Sequence, residues 1–270
     1  MPNTYSYCGR IIKGVVLDIT GVLKESGPNG GTAINGSIDA INRLYESGLQ
    51  FRFCTNETTV TRHHLVNQLR RLGFTIEEDK VFSPIPAVCQ ILKERNLRPH
   101  LLVHKDSLPD FKDVDKNDPN CVVIGDATNE FSYDNLNKAF RCLMEIEQPV
   151  LFSLGSGRYY QEDGELVLDV GPYMKALEYA TDVKAEVVGK PSLSFFTAVL
   201  KDMNVLPNEA VMVGDDIVSD IGGAQACGLA GVLVRTGKFR SRDESHPDVK
   251  PDDIVDNLAQ FVDKLLQHSL

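Results

Sequence analysis

The stretch VVLDITGVL, Val15 to Leu23, constrains this chain more than any other. Val15, Val16 and Leu17 are apolar without polar alternation, the pattern of a strand buried on both faces of a parallel sheet. The run ends at Asp18, and Gly21 follows closely enough to let the backbone turn sharply away. Ligands of open α/β sheets bind beyond the carboxyl ends of the strands, which puts Asp18 at the mouth of any site. A carboxylate there can attack phosphorus or hold a metal. Taken alone, it can equally cap the next turn.

Downstream, the Gly-rich GPNGGTAINGS leads to Ser37, the expected N-cap of a helix with Ile38, Ile41, Leu44 and Tyr45 at helical spacing and Gly48 as its stop. LQFRFCTN reads as the second strand, finishing at Thr55 and Asn56, and a further helix is expected from about Thr59 to Leu72. These βαβ units imply a parallel sheet. Pro84 and Pro86 mark the entry of another helix. From about Leu101 to Val188 the alternation is less regular. HLLVH, NCVVIG, PVLFSLG and GELVLDVG read as strands there, with helices near Tyr133–Glu147 and Pro172–Ala180 and SLGSGRYYQED as a loop. Order returns with a helix near Leu193–Met203, then strand, acidic loop and helix in AVMVGDDIVSDIGGAQACG, a strand in GVLVRTG, a charged loop and a closing amphipathic helix. The expectation is a doubly wound α/β core, residues 1–84 and 190–270, with an inserted α/β cap at 85–189.

Four separated fragments then fall near one crevice: Asp18-Ile19-Thr20-Gly21, Thr55-Asn56, Gly189-Lys190-Pro191, and Gly214-Asp215-Asp216 with Asp220. Lys190 is expected to open a helix and point its ammonium at the same spot. Carboxylates, a hydroxyl, backbone N–H groups and one ammonium suit a phosphoryl group with Mg²⁺, which prefers hard oxygen ligands. A net charge of −10 and the lack of a Lys/Arg-rich run argue against a nucleic-acid surface. No segment approaches the roughly 20 apolar residues that span a bilayer. The six cysteines form no CxxC pair; Cys54, Cys89, Cys121 and Cys142 lie in or beside apolar runs and read as buried free thiols. A reducing compartment is expected, the cytosol with the nucleus as a further location.

In order and chemistry the four fragments resemble the haloacid dehalogenase superfamily of phosphatases, in the branch with a large cap between the second and third motifs. The resemblance implies a Rossmann-like core and hydrolysis through an aspartyl-phosphate on Asp18, with Lys190 as the second catalytic residue. It implies that Asp18, Ile19, Thr20, Thr55, Asn56 and Lys190 contact the phosphoryl group, Thr55 through its hydroxyl and Asn56 through its backbone N–H. It also implies Mg²⁺ held by the Asp18 and Asp215 carboxylates and the Thr20 carbonyl, with Asp216 and Asp220 supporting the metal site. The family's cap implies a homodimer.

Most phosphatases of this superfamily carry Asp where this chain has Thr20. That Asp protonates the leaving oxygen; threonine cannot act as an acid near neutral pH. The expected substrates therefore have labile bonds, P–N in phosphohistidine, phospholysine or imidodiphosphate and P–O–P in pyrophosphate, rather than alkyl esters. The alternatives are a small-phosphomonoester phosphatase or a low-turnover phosphate-binding scaffold. Arg158, Tyr159 and Tyr160 could reach over the site from the cap or serve only as packing groups, and Asp126 is expected to cap the helix that follows it.

Overall fold

The structure, a computed structural model, describes residues 4–27, 30–162 and 165–267. A short antiparallel hairpin, β1 (Tyr5–Tyr7) with β2 (Arg10–Ile12), leads into β3 (Gly14–Leu17), the strand expected from the valine run and buried throughout. The first segment continues through α1 (Ser37–Ser47), β4 (Gln50–Cys54), α2 (Arg62–Arg71) and β5 (Val81–Phe82). The middle segment follows with α3 (Pro84–Glu94), β6 (Pro99–Leu102), β7 (Cys121–Ile124), α4 (Tyr133–Glu145) and β8 (Leu151–Ser153). It closes with the hairpin β9 (Tyr159–Glu162) and β10 (Glu165–Leu168), then α5 (Val170–Thr181) and β11 (Ala185–Val187). The last segment holds α6 (Leu193–Met203), β12 (Ala210–Gly214), α7 (Gly223–Ala226), β13 (Ala230–Val234), β14 (Asp253–Val255) and α8 (Leu258–Leu266).

Two parallel sheets result. The larger runs β14-β13-β12-β3-β4-β5, so the first and last segments pair through β3 and β12, with Val15 opposite Val211 and Leu17 opposite Val213. The smaller runs β11-β8-β7-β6 and is built wholly from the middle segment. Alternate residues of the larger sheet face opposite layers. Val15, Leu17, Phe51, Phe53, Val211 and Val213 pack under α1, α2 and α8, while Val16 and Met212 pack under α6 through Phe195, Phe196, Val199 and Met203. Each such fully buried side chain contributes about 1.5–3 kcal/mol by leaving water. That burial on both faces is why the strands read as unbroken apolar runs. The smaller sheet is covered on one face by α3 and on the other by α4 and α5.

Several local expectations are corrected. Ser37 is not an N-cap: Gly36 precedes the helix in a left-handed conformation, and the buried Ser37 hydroxyl reaches the Leu23 and Ile34 carbonyls. The second helix starts at Arg62, after Thr61 accepts the His64 N–H, because Thr61 offers a capping oxygen and Thr59 does not use one. SLGSGRYYQED contains strand β9, whose pairing with β10 outweighs its polar composition. The acidic loop after β12 is only Asp215–Asp216, and Ile217–Gly222 coil as a π-helical turn. Between the charged loop and the closing helix, where no strand was expected, Asp253–Val255 form β14, which completes the sheet edge. All six cysteines are free, with Cys54 and Cys121 buried and Cys89 and Cys142 only half-buried. No described helix is long and apolar enough to cross a membrane.

Candidate active site

The register of the larger sheet brings its carboxyl ends level. Asp18 follows β3, Thr55 follows β4 and Asp215 follows Gly214 at the end of β12. The adjacent strands β3 and β12 belong to opposite windings of the sheet, the arrangement that opens a crevice at strand ends. Asp18 is anchored by its N–H, which donates to the Val213 carbonyl at 3.0 Å. The crevice is part of a cavity of about 1030 Å³ lined by residues beyond the ends of the larger sheet's strands, such as Asp18, Thr55 and Asp215, and by residues of the middle segment, such as Asp126 and Asp169.

Lys190 does not open a helix: α6 begins at Leu193, and Lys190 sits in the turn before it, joined to Pro191 by a cis peptide bond. Its ammonium nevertheless reaches the site. Nζ lies 2.5 Å from Asp18 Oδ1 and 2.7 Å from Asp220 Oδ1, all three residues being buried. Burial works against the lysine's charge, but Asp18 and Asp220 raise its pKa above the ordinary value, so it is a fixed cation. Removing one member of such a buried pair typically costs about 3–5 kcal/mol.

Asp215 is held differently. Its Oδ2 accepts the Lys238 N–H at 2.8 Å, whereas Oδ1 is buried with no hydrogen-bond partner. Burial pushes its carboxyl well above the usual range, opposed by Lys238 and reinforced by the charges of Asp18 and Asp220. Single ligand oxygens of Asp18, Asp215 and Asp220 lie within 4.8 Å of one another. An orphaned carboxylate oxygen among clustered carboxylates fits a hard divalent cation, which supplies the missing partner. Asp220 belongs to this cluster as closely as the others, although it is also occupied by Lys190 and by the Asp216 N–H at 3.1 Å. Burial raises the Asp220 carboxyl in turn, against the pull of Lys190. A side chain at Gly21 (φ +94°) or Gly237 would collide with Asp215 Oδ2, so both glycines are needed for its approach.

The other expected residues divide. Thr20 and Asn56 line the cavity half-buried, and the buried Thr55 accepts the Glu57 N–H on its hydroxyl. Ile19 keeps its side chain in the core, and its carbonyl accepts the Leu23 N–H, which leaves only its own N–H for a ligand. Asp216 lines the cavity but turns its carboxylate to the π-helical turn, accepting the Val218 and Ser219 N–H groups, and to Lys238 Nζ at 3.0 Å. Burial is outweighed there by Lys238 and these N–H groups, which hold its carboxyl down at about 2.

Several contributors were not read from the sequence. Lys238 and Gly237 brace Asp215 from the loop after β13, and only their Gly-Lys pairing beyond a strand end hinted at it. The buried Lys24, a lysine closing an apolar run, lines the cavity, as does Thr58, which takes the Asp126 N–H at 3.1 Å. From the middle segment, Asp126 does not cap the following helix, whose cap is Ser132; it accepts the Thr128 N–H at 3.0 Å and faces the cavity with Tyr160, Asp169 and the stacked pair Phe131–Tyr173. Arg158 does not line it, and Tyr159 instead meets Arg240 and Arg242.

Residues 15–125 match the family model described as haloacid dehalogenase-like hydrolase, and residues 187–261 match the HAD-hydrolase-like model. The chain is 62% identical over 257 residues to the phospholysine phosphohistidine inorganic pyrophosphate phosphatase of Danio rerio, covering 95% of each chain. It is 60% identical over 258 residues to the Homo sapiens protein of that name, covering 96% of each. Among solved structures, the 4-nitrophenylphosphatase of Thermotoga maritima superposes with a TM-score of 0.83 at 24% identity, over 93% of this chain and 97% of that one.

Proposed function

The chain belongs to the haloacid dehalogenase-like hydrolases, and from that premise we infer that it is a phosphatase for P–N bonds and inorganic pyrophosphate that works through a covalent intermediate on Asp18. The substrates carried over are those in its relatives' names: phospholysine, phosphohistidine and inorganic pyrophosphate. The observation that carries the reading is the buried meeting of Asp18, Lys190 and the orphaned Asp215 oxygen at one cavity.

In this reading an Asp18 oxygen attacks phosphorus, the bond from phosphorus to the leaving nitrogen or oxygen breaks, and the leaving group takes a proton from solvent. Water then attacks the acyl phosphate, returning the Asp18 carboxylate and releasing phosphate. The Lys190 ammonium offsets charge on the phosphoryl oxygens, while Thr55 and the N–H groups of Ile19 and Asn56 orient them. A divalent cation, Mg²⁺ in our reading, would be held by Asp18, Asp215 and the Thr20 carbonyl and would neutralise phosphoryl charge. Asp220 and Asp216 keep Lys190 and Lys238 in place. Thr20 offers no acid to a leaving group, which favours good leaving groups over alkoxides.

The middle segment then acts as a cap over the crevice, supported by its contribution of Asp126, Tyr160 and Asp169 to the cavity wall. Exposed Tyr133, Met144 and Tyr179 on α4 and α5 support a homodimer, which sedimentation would test. Six unpaired thiols support a cytosolic or nuclear location.

The test is phosphate release from imidodiphosphate, pyrophosphate and an alkyl phosphomonoester, with Mg²⁺ or EDTA and with Asp18→Asn alongside. Metal-dependent release from the first two, lost in the variant, is expected. No release from any of the three by the wild-type protein would overturn the assignment.

A further inference from the structure

Three lysines line the cavity, and they are not alike. Lys190 pairs with Asp18 and Asp220, and Lys238 pairs with Asp216. Lys24 is buried, 5% exposed, yet among the described residues its ammonium has no carboxylate at ion-pair distance and no hydrogen-bond acceptor. The Lys24 ammonium is not sealed off: it keeps contact with water in the cavity, with no counter-charge in contact, and that is where an anion gains a charge-assisted partner. Burial pushes the Lys24 pKa down, and Glu57, Asp18 and Glu25 oppose it only through longer-range attraction.

The backbone places this cation deliberately. After Asp18 the chain folds back on itself: the Lys24 and Leu23 N–H groups donate to the Ile19 carbonyl, and the Gly21 N–H donates to the Lys24 carbonyl at 2.7 Å. Lys24 thereby forms a β-bridge with Thr20, two residues beyond Asp18. A substrate with phosphorus at Asp18 has its leaving group in the cavity that Lys24 also lines. What would satisfy a partnerless ammonium there is an anion.

We propose that Lys24 binds the second phosphoryl group of a diphosphate substrate, the one that leaves as phosphate from pyrophosphate and as phosphoramidate from imidodiphosphate, and so selects these two over substrates whose leaving group is a neutral or cationic amine. The assignment of Asp18 as the position of the first phosphoryl group rests on the function proposed above. Pyrophosphate brings negative charge on its distal phosphoryl; a lysine side chain leaving from phospholysine brings none. The Lys24 ammonium supplies a charge-assisted donor to the first and repels the ammonium form of the second.

Calorimetric binding of methylenediphosphonate and methylphosphonate, neither of which can be hydrolysed at the bridging position, tests this with saturating Mg²⁺. The wild-type protein is expected to bind the diphosphonate at least about tenfold more tightly than the monophosphonate. Lys24→Met should bring the two affinities within about twofold of each other, and Lys24→Arg should restore the preference. Alongside, the ratio of kcat/KM for pyrophosphate to that for phospholysine should fall about tenfold in Lys24→Met. Equal affinities in the wild-type protein, or a preference that survives in a folded Lys24→Met, would overturn the proposal. If the wild-type protein hydrolyses neither compound, the phosphatase reading fails, while the two phosphonates still decide whether Lys24 holds a second phosphoryl group.

Discussion

The carboxamide of Asn56 holds the backbone of Lys190 on both sides: its Nδ2 donates to the Lys190 carbonyl at 2.8 Å and its Oδ1 accepts the Lys190 N–H at 2.9 Å. Asn56 follows β4 and Lys190 follows β11, so one side chain ties the larger sheet to the end of the middle segment. The clamp leaves the Lys190 side chain as the only part of that residue free to reach Asp18. A residue expected to meet phosphate through its backbone thus has a second task, aiming the ammonium.

Asn56→Ala removes both bonds. At about 1 kcal/mol each, unfolding in denaturant should show a loss of about 2 kcal/mol. Turnover should suffer more, with kcat reduced about tenfold or more, since small displacements of a charged group are costly in a preorganised site. An unchanged kcat in a destabilised protein would make the clamp purely structural.

Gly21→Ala tests the metal cradle. The left-handed φ disfavours alanine by about 1 kcal/mol, and its Cβ would press on Asp215 Oδ2. Saturating Mg²⁺ is expected to raise the melting temperature of the wild-type protein, reversibly with EDTA. In Gly21→Ala that rise should shrink by half or more. A full rise in the variant would place the cation away from Asp215.

Asp126 gives the stability a pH signature. Burial, reinforced by Asp169 and Glu57, pushes its carboxyl up to about 7, against the Thr128 N–H and the Tyr160 hydroxyl. The folded form therefore holds a proton that the unfolded chain releases near pH 4. Stability from this group falls as pH rises from about 4 to about 7, and the penalty is complete above that. Asp126→Asn should flatten this slope and stabilise the protein at pH 8 by on the order of 2 kcal/mol, read from urea unfolding at several pH values. An identical slope in the variant would assign the effect elsewhere.

Thr20→Asp restores a carboxyl that can donate a proton to a leaving oxygen. Turnover of an alkyl phosphomonoester should rise about tenfold or more relative to pyrophosphate. Steady-state kinetics on both substrates would decide it, and a ratio unchanged or lower would detach substrate preference from residue 20.

Much of this was legible because parallel strands buried on both faces leave continuous apolar runs, and the residue after such a run sits at the crevice. Asp18, Thr55 and Asp215 are found that way, and the structure brings them to one cavity. What periodicity cannot carry is a contact made across the chain. Lys190 looks like a helix opener because Pro191 and Ser192 follow it, whereas Asn56, distant in sequence, fixes the turn it occupies. Lys24 extends an apolar run and gives no sign that the backbone folds it back beside Thr20. Strands β9 and β14 lie in polar, turn-rich stretches, where edge pairing rather than burial decides. Asp126 does not cap the helix that follows it, since Ser132 does; it accepts only the Thr128 N–H, and its place on the cavity wall is set by a contact across the chain, its N–H donating to Thr58.

The pairing of β3 with β12 joins Val15 to Val211, and everything between them must be made before it can form. A ribosome-bound chain has its nucleophile early and the partners of that nucleophile late, because Lys190, Asp215 and Asp220 all lie in the final third. The N-terminal strands wait with an unpaired edge on β3 during that interval, a state open to nonspecific strand addition. Truncated products of interrupted synthesis would keep Asp18 but lack its lysine and the rest of its carboxylate cluster. The nucleophile therefore has no partners until β12 and the residues through Asp220 have been made, so the long-range strand pair and the assembly of the site come together.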